Sequence, residues 1–520
     1  MSSYMAAELK EILNLMSSPT KEDVALVTKA YDFAKEAHKG HKRYSGEPFF
    51  NHLSETAKGL ATIGMGPRTI AAGLLHDSIE DTDVTGEEIE KDFGKEVLFL
   101  VEGVTKLGTL KYRGVQRHTE SLRKLFVATS QDVRVVIVKL VDRLHNMKTL
   151  EYVPKNKRKR IALETLEVYT PIADRLGMGR LKRELEDLAF PYVHHKKFEK
   201  VKELLSSRSR VGLENLQKIH KRVKKELVKE GVTDFKTEHR IKGIYSLFKK
   251  LERKNWDIDE IHDIIALRII VPDVADCYRV LGAIHKMWTP LPGKIKDYIA
   301  FPKPNGYQSI HTTIFTGAAG TIEIQIRSNQ MHREAQFGVA SHIRYKHDDE
   351  FSRKHAFEWI SQFLPLSIRG LTNRGKPKKD NRITKVAGSK PSESVPNWIR
   401  EIADGHQNFE GEHDFSEDMK SDFFNHRVFV FTPKGDVIDL PIDSSPVDFA
   451  YAIHSDIGNH ISGAKANGKM ISLDTKLKNG DIVEIMTKES AKPTTKWIDL
   501  AKTTLAKRHI RQAVVNQKER

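Results

Sequence analysis

The chain has 520 residues, 39% apolar and 30% charged, enough for two to four domains with sizeable cores. Its 86 Lys and Arg outweigh 70 Asp and Glu, and the net charge of +16 points to anionic partners such as nucleotides, RNA or acidic membranes, with solubility alone as the plainer reading. One cysteine, Cys277, excludes an internal disulfide and a multi-cysteine zinc module, and no apolar run approaches the roughly 20 residues of a bilayer span, so a reducing, cytoplasmic setting is expected.

Met1 to Ser18 reads as an amphipathic helix carrying Glu8, Lys10 and Glu11, without the apolar core of a secretory signal. From about Lys21 to Val193 the pattern is helical nearly throughout, with Asp23 to Lys39 and Val133 to Leu144 as examples. The basic cluster Lys157 to Arg160 opens a further helix, Ile161 to Leu176; a solvated helix start is the plainer reading, phosphate binding the alternative. Near Arg240 the character changes. Ile264 to Val271 (IIALRIIV) is a buried-strand run, Asp276 to Trp288 returns to helix, and Leu291 to Asn305, rich in Pro, Gly and Lys, reads as a loop. Ile322, Ile324 and Ile326 then alternate with Glu323, Gln325 and Arg327, a strand whose period puts the three polar groups on one face. Mixed helices and strands indicate an α+β or α/β domain. Arg369 to Val395 reads as a linker that continues loosely to about Lys420. Val428 to Phe431 and Val437-Ile438 flank the turn Pro433-Lys434-Gly435-Asp436 and open a small β-rich domain that runs to Thr487, before a basic helix from Lys496 to Arg520.

Two segments carry chemistry. In the first, an apolar helix (Ile70, Ala71, Ala72, Leu74, Leu75, Ile79) bears His76-Asp77 and, one turn later, Glu80-Asp81; helical spacing sets His76 over Glu80 and Asp77 over Asp81. Four ionisable groups on an apolar helix are costly unless compensated, and a divalent metal bound by imidazole and carboxylate is the simplest compensation. His41 to Pro48 followed by Asn51-His52, and Val141 to Asn146, supply a further histidine and a distant aspartate. His38, His41 and His145 read as accessory or surface residues rather than ligands, and helix-surface acids are the alternative for Glu80 and Asp81. The second segment runs from Arg240-Ile241-Lys242-Gly243 through Asp263, Lys294 to Tyr298 and Lys303 to Thr312 to the Glu323-Gln325-Arg327 face. It has the parts of a polyphosphate site: Lys and Arg to neutralise phosphates, carboxylates to hold Mg²⁺ or accept a hydroxyl proton, and an aromatic at a glycine turn.

These segments together resemble the RelA/SpoT homologue family of long (p)ppGpp synthetase/hydrolases. KPNGYQSIHT and EIQIR followed by Met331-His332 are its specific signatures, and Arg427 to Thr487 resembles a β-grasp TGS domain through Val430 to Asp436, Ala450 to His454 and Asn479-Gly480-Asp481. The resemblance implies a multidomain chain: an all-α HD-type hydrolase over 1–195, an α/β nucleotidyltransferase-like synthetase over 196–350, a linker with helices over 351–425, a TGS domain over 426–488 and the start of a helical region over 489–520. It implies Mn²⁺ on His52, His76, Asp77 and Asp142; attacking water positioned or activated by Glu80 and Asp81; and nucleotide contacts from Arg43, Asn146 and Thr149. In the synthetase, Asp263 would bind Mg²⁺, and Glu323 would ligate metal or take the 3′-hydroxyl proton. Tyr307 would stack on guanine. Arg240, Lys242, Lys250, Lys296, Lys303, His311, Gln325 and Arg327 would line the nucleotide site. His454 would touch deacylated tRNA on the ribosome, with a packed structural histidine as the equal alternative. Lys294 keeps a basic loop type associated with bifunctional members, and a residue other than the usual Pro follows His52. The family's zinc-finger-like and ACT- or RRM-type modules are absent, which suits either a short member or a truncated chain. The activity implied is pyrophosphate transfer from ATP to the 3′-hydroxyl of GDP or GTP, and hydrolysis of the (p)ppGpp formed. A hydrolase with a nucleotide-sensing second domain and a non-catalytic tRNA- or ribosome-binding regulator are the rival readings.

Overall fold

The computed structural model describes residues 6–108, 132–258, 260–261, 264–303, 305–317, 320–341, 343, 427–433, 437–478 and 480–518. Asp263 and the linker expected over 369–420 lie outside the described residues. The chain divides into two units, 1–360 and 361–520.

The first half of unit 1 is helical: α1 Ala7–Leu15, α2 Lys21–Ala37, α3 Phe50–Thr62, α4 Pro67–Leu75, α5 Ser78–Asp81, α6 Gly86–Phe93, α7 Lys95–Gly108, α8 Val133–Lys148, α9 Lys155–Glu164, α10 Thr170–Arg175 and α11 Gly179–Val193. Capping boxes at Thr20/Asp23 and Thr85/Glu88 start α2 and α6, and Pro67 stands in the first turn of α4. Leu53, Leu60, Ile70, Leu74, Leu75, Val136 and Leu140 are fully buried where α3, α4 and α8 meet. Two glycines set the closeness of that meeting. A Cβ on Gly73 would come within 2.4 Å of Leu60 Cδ1, and one on Gly59 within 2.6 Å of Val141 Cγ1. Because α3 touches both α4 and α8 this closely, residues from all three helices can converge on one point.

The apolar helix expected to run through His76 is broken. α4 ends at Leu75, Asp77 sits at φ −100°, ψ −1°, and α5 restarts at Ser78. The His76 ring bonds the Gly73 carbonyl through Nδ1 at 2.9 Å, a side-chain competitor for a helix acceptor. The simple stacking of His76 on Glu80 therefore gives way to a kink that turns His76 and Asp77 inward. The helix expected over 161–176 is also interrupted, by a π turn at Thr165–Tyr169 just before Pro171, which has no N–H to continue the ladder.

The long helix α12, His195–Lys229, leads to a five-stranded mixed sheet: β1 Lys236–Ile241, β2 Ile265–Val271, β3 Pro290–Asp297, β4 Ile310–Phe315 and β5 Thr321–Ser328, with α13 Ile244–Arg253, α14 Val274–Met287 and α15 Asn329–Phe337. Strand order is β1-β2-β5-β4-β3, and only β2 and β5 pair in parallel. One face carries Leu267, Ile269, Val271, Ile310, Ile314, Ile324 and Ile326 and packs on Leu216, Val223, Leu227, Val280 and Ile284 of α12 and α14. The segment expected as a loop over 291–305 contains β3. Its Pro and Gly suit an edge strand, where a missing N–H and an irregular register between Pro290 and Ile295 are tolerated.

Unit 2 contains the hairpin β6 Arg427–Phe431 and β7 Val437–Pro441, helices α16 Pro446–Ile453 and α17 Ser455–Asn459, and the sheet β8 Ile461–Ala466, β9 Lys469–Ile471 and β10 Val483–Thr487. A parallel bridge from Phe431 to Ile482 joins the two sheets. The basic helix expected from Lys496 onward is two helices, α18 Lys496–Leu500 and α19 Thr504–Lys518. The break falls where buried Asp448 accepts the backbone N–H groups of Lys502 and Thr503 and the Thr503 hydroxyl.

Candidate active sites

His52 from α3, His76 and Asp77 at the α4–α5 kink, and Asp142 from α8 meet in the helical half. His52 Nε2 lies 3.2 Å from Asp142 Oδ1 and 3.7 Å from Asp77 Oδ2, and His76 Nε2 lies 3.1 Å from Asp77 Oδ2 and 3.9 Å from Asp142 Oδ1. His52, His76 and Asp142 form a buried triad able to hold a metal ion. The donor chemistry fits one. Nδ1 of His76 is spent on Gly73, so its proton is there in the neutral ring, and the buried Nε2 faces the carboxylates of Asp77 and Asp142. Without a cation the balance falls on protons: burial opposes charge on His76, but Asp77 and Asp142 outweigh it and lift it to about 9. Burial opposes the charge on Asp142 as well, yet Lys139, His52 and His76 hold its carboxyl well below the usual range.

Around this centre, Lys139 Nζ sits 2.8 Å from Asp142 Oδ2, Asn146 donates to Asp142 Oδ1, and His145 Nδ1 lies 2.8 Å from His52 Nδ1. Arg43 bonds both His145 and Asn146, and Thr149 caps α8, donating to the His145 carbonyl at 3.2 Å. Burial, with His52 and Arg43 nearby, drives His145 down to about 3, so it stays neutral. Glu80 and Asp81 lie at the exposed edge of the site; partial burial and then Asp77 raise both carboxyls. His38 is buried and bonds the Ala34 carbonyl; Asp77 and Asp81 act on it electrostatically. The structure thus brings together the metal set expected from sequence. Lys139 was missed, although a lone lysine three residues before Asp142 in VRVVIVKLVD was its signal.

In the second site, the strand registers align Glu238, Arg268, Gln325, His311 and Lys296 in one row across all five strands. Arg240 and Glu323 share the adjacent row through Ala266. The row explains the alternation of β5: its polar face is buried under functional groups while its isoleucines face the core. His311 Nδ1 lies 2.6 Å from Glu323 Oε1, its Nε2 lies 2.8 Å from the Tyr307 hydroxyl, and Arg327 donates to that hydroxyl at 2.8 Å. Arg240 donates to Gln325 Oε1 at 3.0 Å, and Gln325 donates to Glu323 at 3.2 Å. The Tyr307 ring already has two cations near it, Lys303 Nζ at 4.9 Å and Arg327 Cζ at 5.2 Å from its centroid. Burial raises the Tyr307 hydroxyl, but His311, Arg327 and Arg240 outweigh it and bring it to about 8; burial and crowding by Lys296 and Lys182 push Lys303 down to about 8 against the pull of Asp174. Concentrated positive charge around polar acceptors is what a polyphosphate would neutralise. Lys242 follows β1 directly and Lys250 lies on α13. Asn305 tethers the Tyr307 loop to the helical half by donating to the Asp174 carbonyl at 3.1 Å. Arg268 was missed, though a single arginine inside IIALRIIV marked it. In unit 2, His454 is half-exposed at the start of α17, where its Nδ1 accepts the Asp456 N–H at 3.2 Å, so it is not a packed core residue.

Three segments match known domain models: 30–179 an HD domain, 239–350 the region found in RelA/SpoT proteins, and 428–487 a TGS domain. The chain is 42% identical over 519 residues to the guanosine-3′,5′-bis(diphosphate) 3′-pyrophosphohydrolase of Aquifex aeolicus, covering 99% of this chain and 68% of that one. The chain belongs to the RelA/SpoT family. Another RelA/SpoT-type relative, the GTP pyrophosphokinase of Myxococcus xanthus, is 40% identical over 95% of this chain and 61% of its own length; that of Brucella melitensis is 40% identical, with 95% and 62% covered. The chain therefore spans 61–68% of the length of these relatives. A solved structure, the small alarmone synthetase 2 of Bacillus subtilis, aligns at 28% identity with 31% of this chain and 89% of its own, at a TM-score of 0.24. Both catalytic domain types of the RelA/SpoT family are present here, and no helix among the described residues is long and apolar enough to cross a membrane.

Proposed function

We propose that this chain both makes and destroys (p)ppGpp, transferring the β,γ-pyrophosphate of ATP to the 3′-hydroxyl of GDP or GTP and hydrolysing the product to GDP or GTP and pyrophosphate. The observation that carries the reading is the coexistence, in one chain, of a buried two-histidine, two-carboxylate centre and a sheet face that gathers Arg240, His311, Glu323 and Arg327.

In the hydrolase, His52, His76, Asp77 and Asp142 would hold Mn²⁺, a choice favoured by mixed imidazole and carboxylate donors. When bound, the ion would acidify a water and neutralise charge on the leaving pyrophosphate. Glu80 and Asp81, with carboxyls raised by burial and by Asp77, are poised to take the water's proton and pass it on. Arg43, Asn146 and Thr149 would contact the nucleotide. In the synthetase, Asp263 would hold Mg²⁺, which would neutralise charge on the ATP phosphates. Glu323, oriented by His311 and Gln325, accepts the 3′-hydroxyl proton as the nucleophile attacks the β-phosphorus and AMP leaves. Arg240, Lys242, Lys250, Lys296, Lys303, His311 and Arg327 grip phosphates. Tyr307 stacks on guanine once the base displaces Lys303 from its ring. The domain limits proposed are 1–195, 196–350, 351–425, 426–488 and 489–520. The TGS domain offers His454 to deacylated tRNA on the ribosome, in a cytoplasmic setting.

Two assays on the purified chain test the reading: ATP and GDP with Mg²⁺, and ppGpp with Mn²⁺. Turnover in both supports it. Hydrolysis alone favours a nucleotide-sensing second domain, and inertness in both favours a tRNA- or ribosome-binding regulator.

A further inference from the structure

Two of the four ligands in the helical half are held from behind, and both supports end on one guanidinium. Arg43 Nη1 lies 3.0 Å from His145 Nδ1, which lies 2.8 Å from His52 Nδ1. Arg43 Nη2 donates to Asn146 Oδ1, and Asn146 Nδ2 donates to Asp142 Oδ1. His145 and Asn146 are consecutive on α8, one turn beyond Asp142, so a single fork spans both.

The protons follow by elimination. A guanidinium N–H can only donate, so His145 Nδ1 is an acceptor. His52 Nδ1 faces that same lone pair and must carry its ring's proton. His52 Nε2 is thereby left as a lone pair aimed at Asp77 and Asp142, the form in which imidazole binds a metal. The same logic orients the Asn146 amide: its oxygen takes the Arg43 N–H, so its nitrogen is the group facing Asp142.

We propose that Arg43 is a positioning residue of the metal centre, selecting the His52 tautomer through His145 and aiming the Asp142 carboxylate through Asn146. This rests on the reading of His52, His76, Asp77 and Asp142 as metal ligands, and it adds a task to a residue whose expected role is nucleotide contact. It also makes a prediction opposite to simple electrostatics. Arg43 brings a positive charge toward a cation site, so on charge alone its removal would tighten metal binding. If positioning governs, removal weakens binding, by about 10- to 100-fold as for other groups that orient metal ligands.

The test is Mn²⁺ alone, titrated by calorimetry and by the free-ion magnetic resonance signal into the purified chain and its variants, each checked for folding by circular dichroism. Arg43→Ala and His145→Ala should each bind Mn²⁺ more weakly. His145→Asn, whose side-chain oxygen can accept from both His52 and Arg43, should recover most of the loss. Arg43→Lys keeps the charge without the fork and should still bind weakly, which carries the test if the alanine variants fail to fold. Unchanged or tighter binding in Arg43→Lys or Arg43→Ala overturns the proposal. His76→Ala is the control: if it too binds Mn²⁺ normally, the metal reading itself has failed, whereas loss in His76→Ala with normal binding in the Arg43 and His145 variants refutes positioning alone.

Discussion

Replacing Lys139 with Met removes a buried counter-charge while keeping a side chain of similar length. The ammonium lies 2.8 Å from Asp142 Oδ2, with the two side chains only 13% and 4% exposed. At an effective dielectric constant of about 20, such a pair attracts by roughly 6 kcal/mol before desolvation is counted. Deleting one partner of a buried pair costs about 3–5 kcal/mol net, because the other is left uncompensated. A bound cation changes this sum. Asp77 and Asp142 carry two negative charges, which a divalent ion balances alone; without the ion, Lys139 and a proton on His76 do so. Lys139→Met should therefore lower the metal-free melting midpoint by several degrees, respond to Mn²⁺ with a larger rise than the wild type, and bind Mn²⁺ more tightly. Thermal melts in chelator and in saturating Mn²⁺, followed by calorimetric titration, measure all three. A variant as stable as wild type without metal, or one whose Mn²⁺-induced rise is the same or smaller, would refute the charge balance.

Three further outcomes can be checked by stability measurements. Burial raises Glu186 to about 7 despite nearby Lys182, so its protonated form stabilises the fold fully below about pH 4.5 and this contribution is lost as pH rises through 7; Glu186→Gln should flatten the decline of the midpoint over that window, and parallel profiles would contradict it. Gly338 adopts φ +55°, and a Cβ there would meet the Leu176 carbonyl oxygen at 2.0 Å, so Gly338→Ala should destabilise unit 1 by at least about 1–3 kcal/mol in denaturant melts. Asp448→Ala removes the acceptor shared by Ser445, Lys502 and Thr503 and should destabilise unit 2 by about 3 kcal/mol or more, with faster amide exchange at Lys502 and Thr503; unchanged exchange there would count against it.

The prominence of His52, His76, Asp77 and Asp142 was legible because chemistry resides in residue type: His76-Asp77 in an apolar context needs an explanation whatever the backbone does. The kink was not legible, since it depends on the His76 ring bonding the Gly73 carbonyl and on α3 closing against Gly73. The β5 alternation showed its polar face, but the five-strand row from Glu238 to Lys296 arises from registers between strands distant in sequence. β3 was hidden because its Pro and Gly are as common in loops as at sheet edges. The break between α18 and α19 has its cause in Asp448, 55 residues before Thr503, and no local pattern could announce it.

The proposed bifunctionality would rest on two separable centres, and the most direct measurement assays both reactions in two single variants. His76→Ala should abolish ppGpp hydrolysis while ATP-dependent synthesis from GDP persists, and Glu323→Gln should do the reverse. Retained hydrolysis in His76→Ala, or retained synthesis in Glu323→Gln, in chains that melt like the wild type would contradict the account.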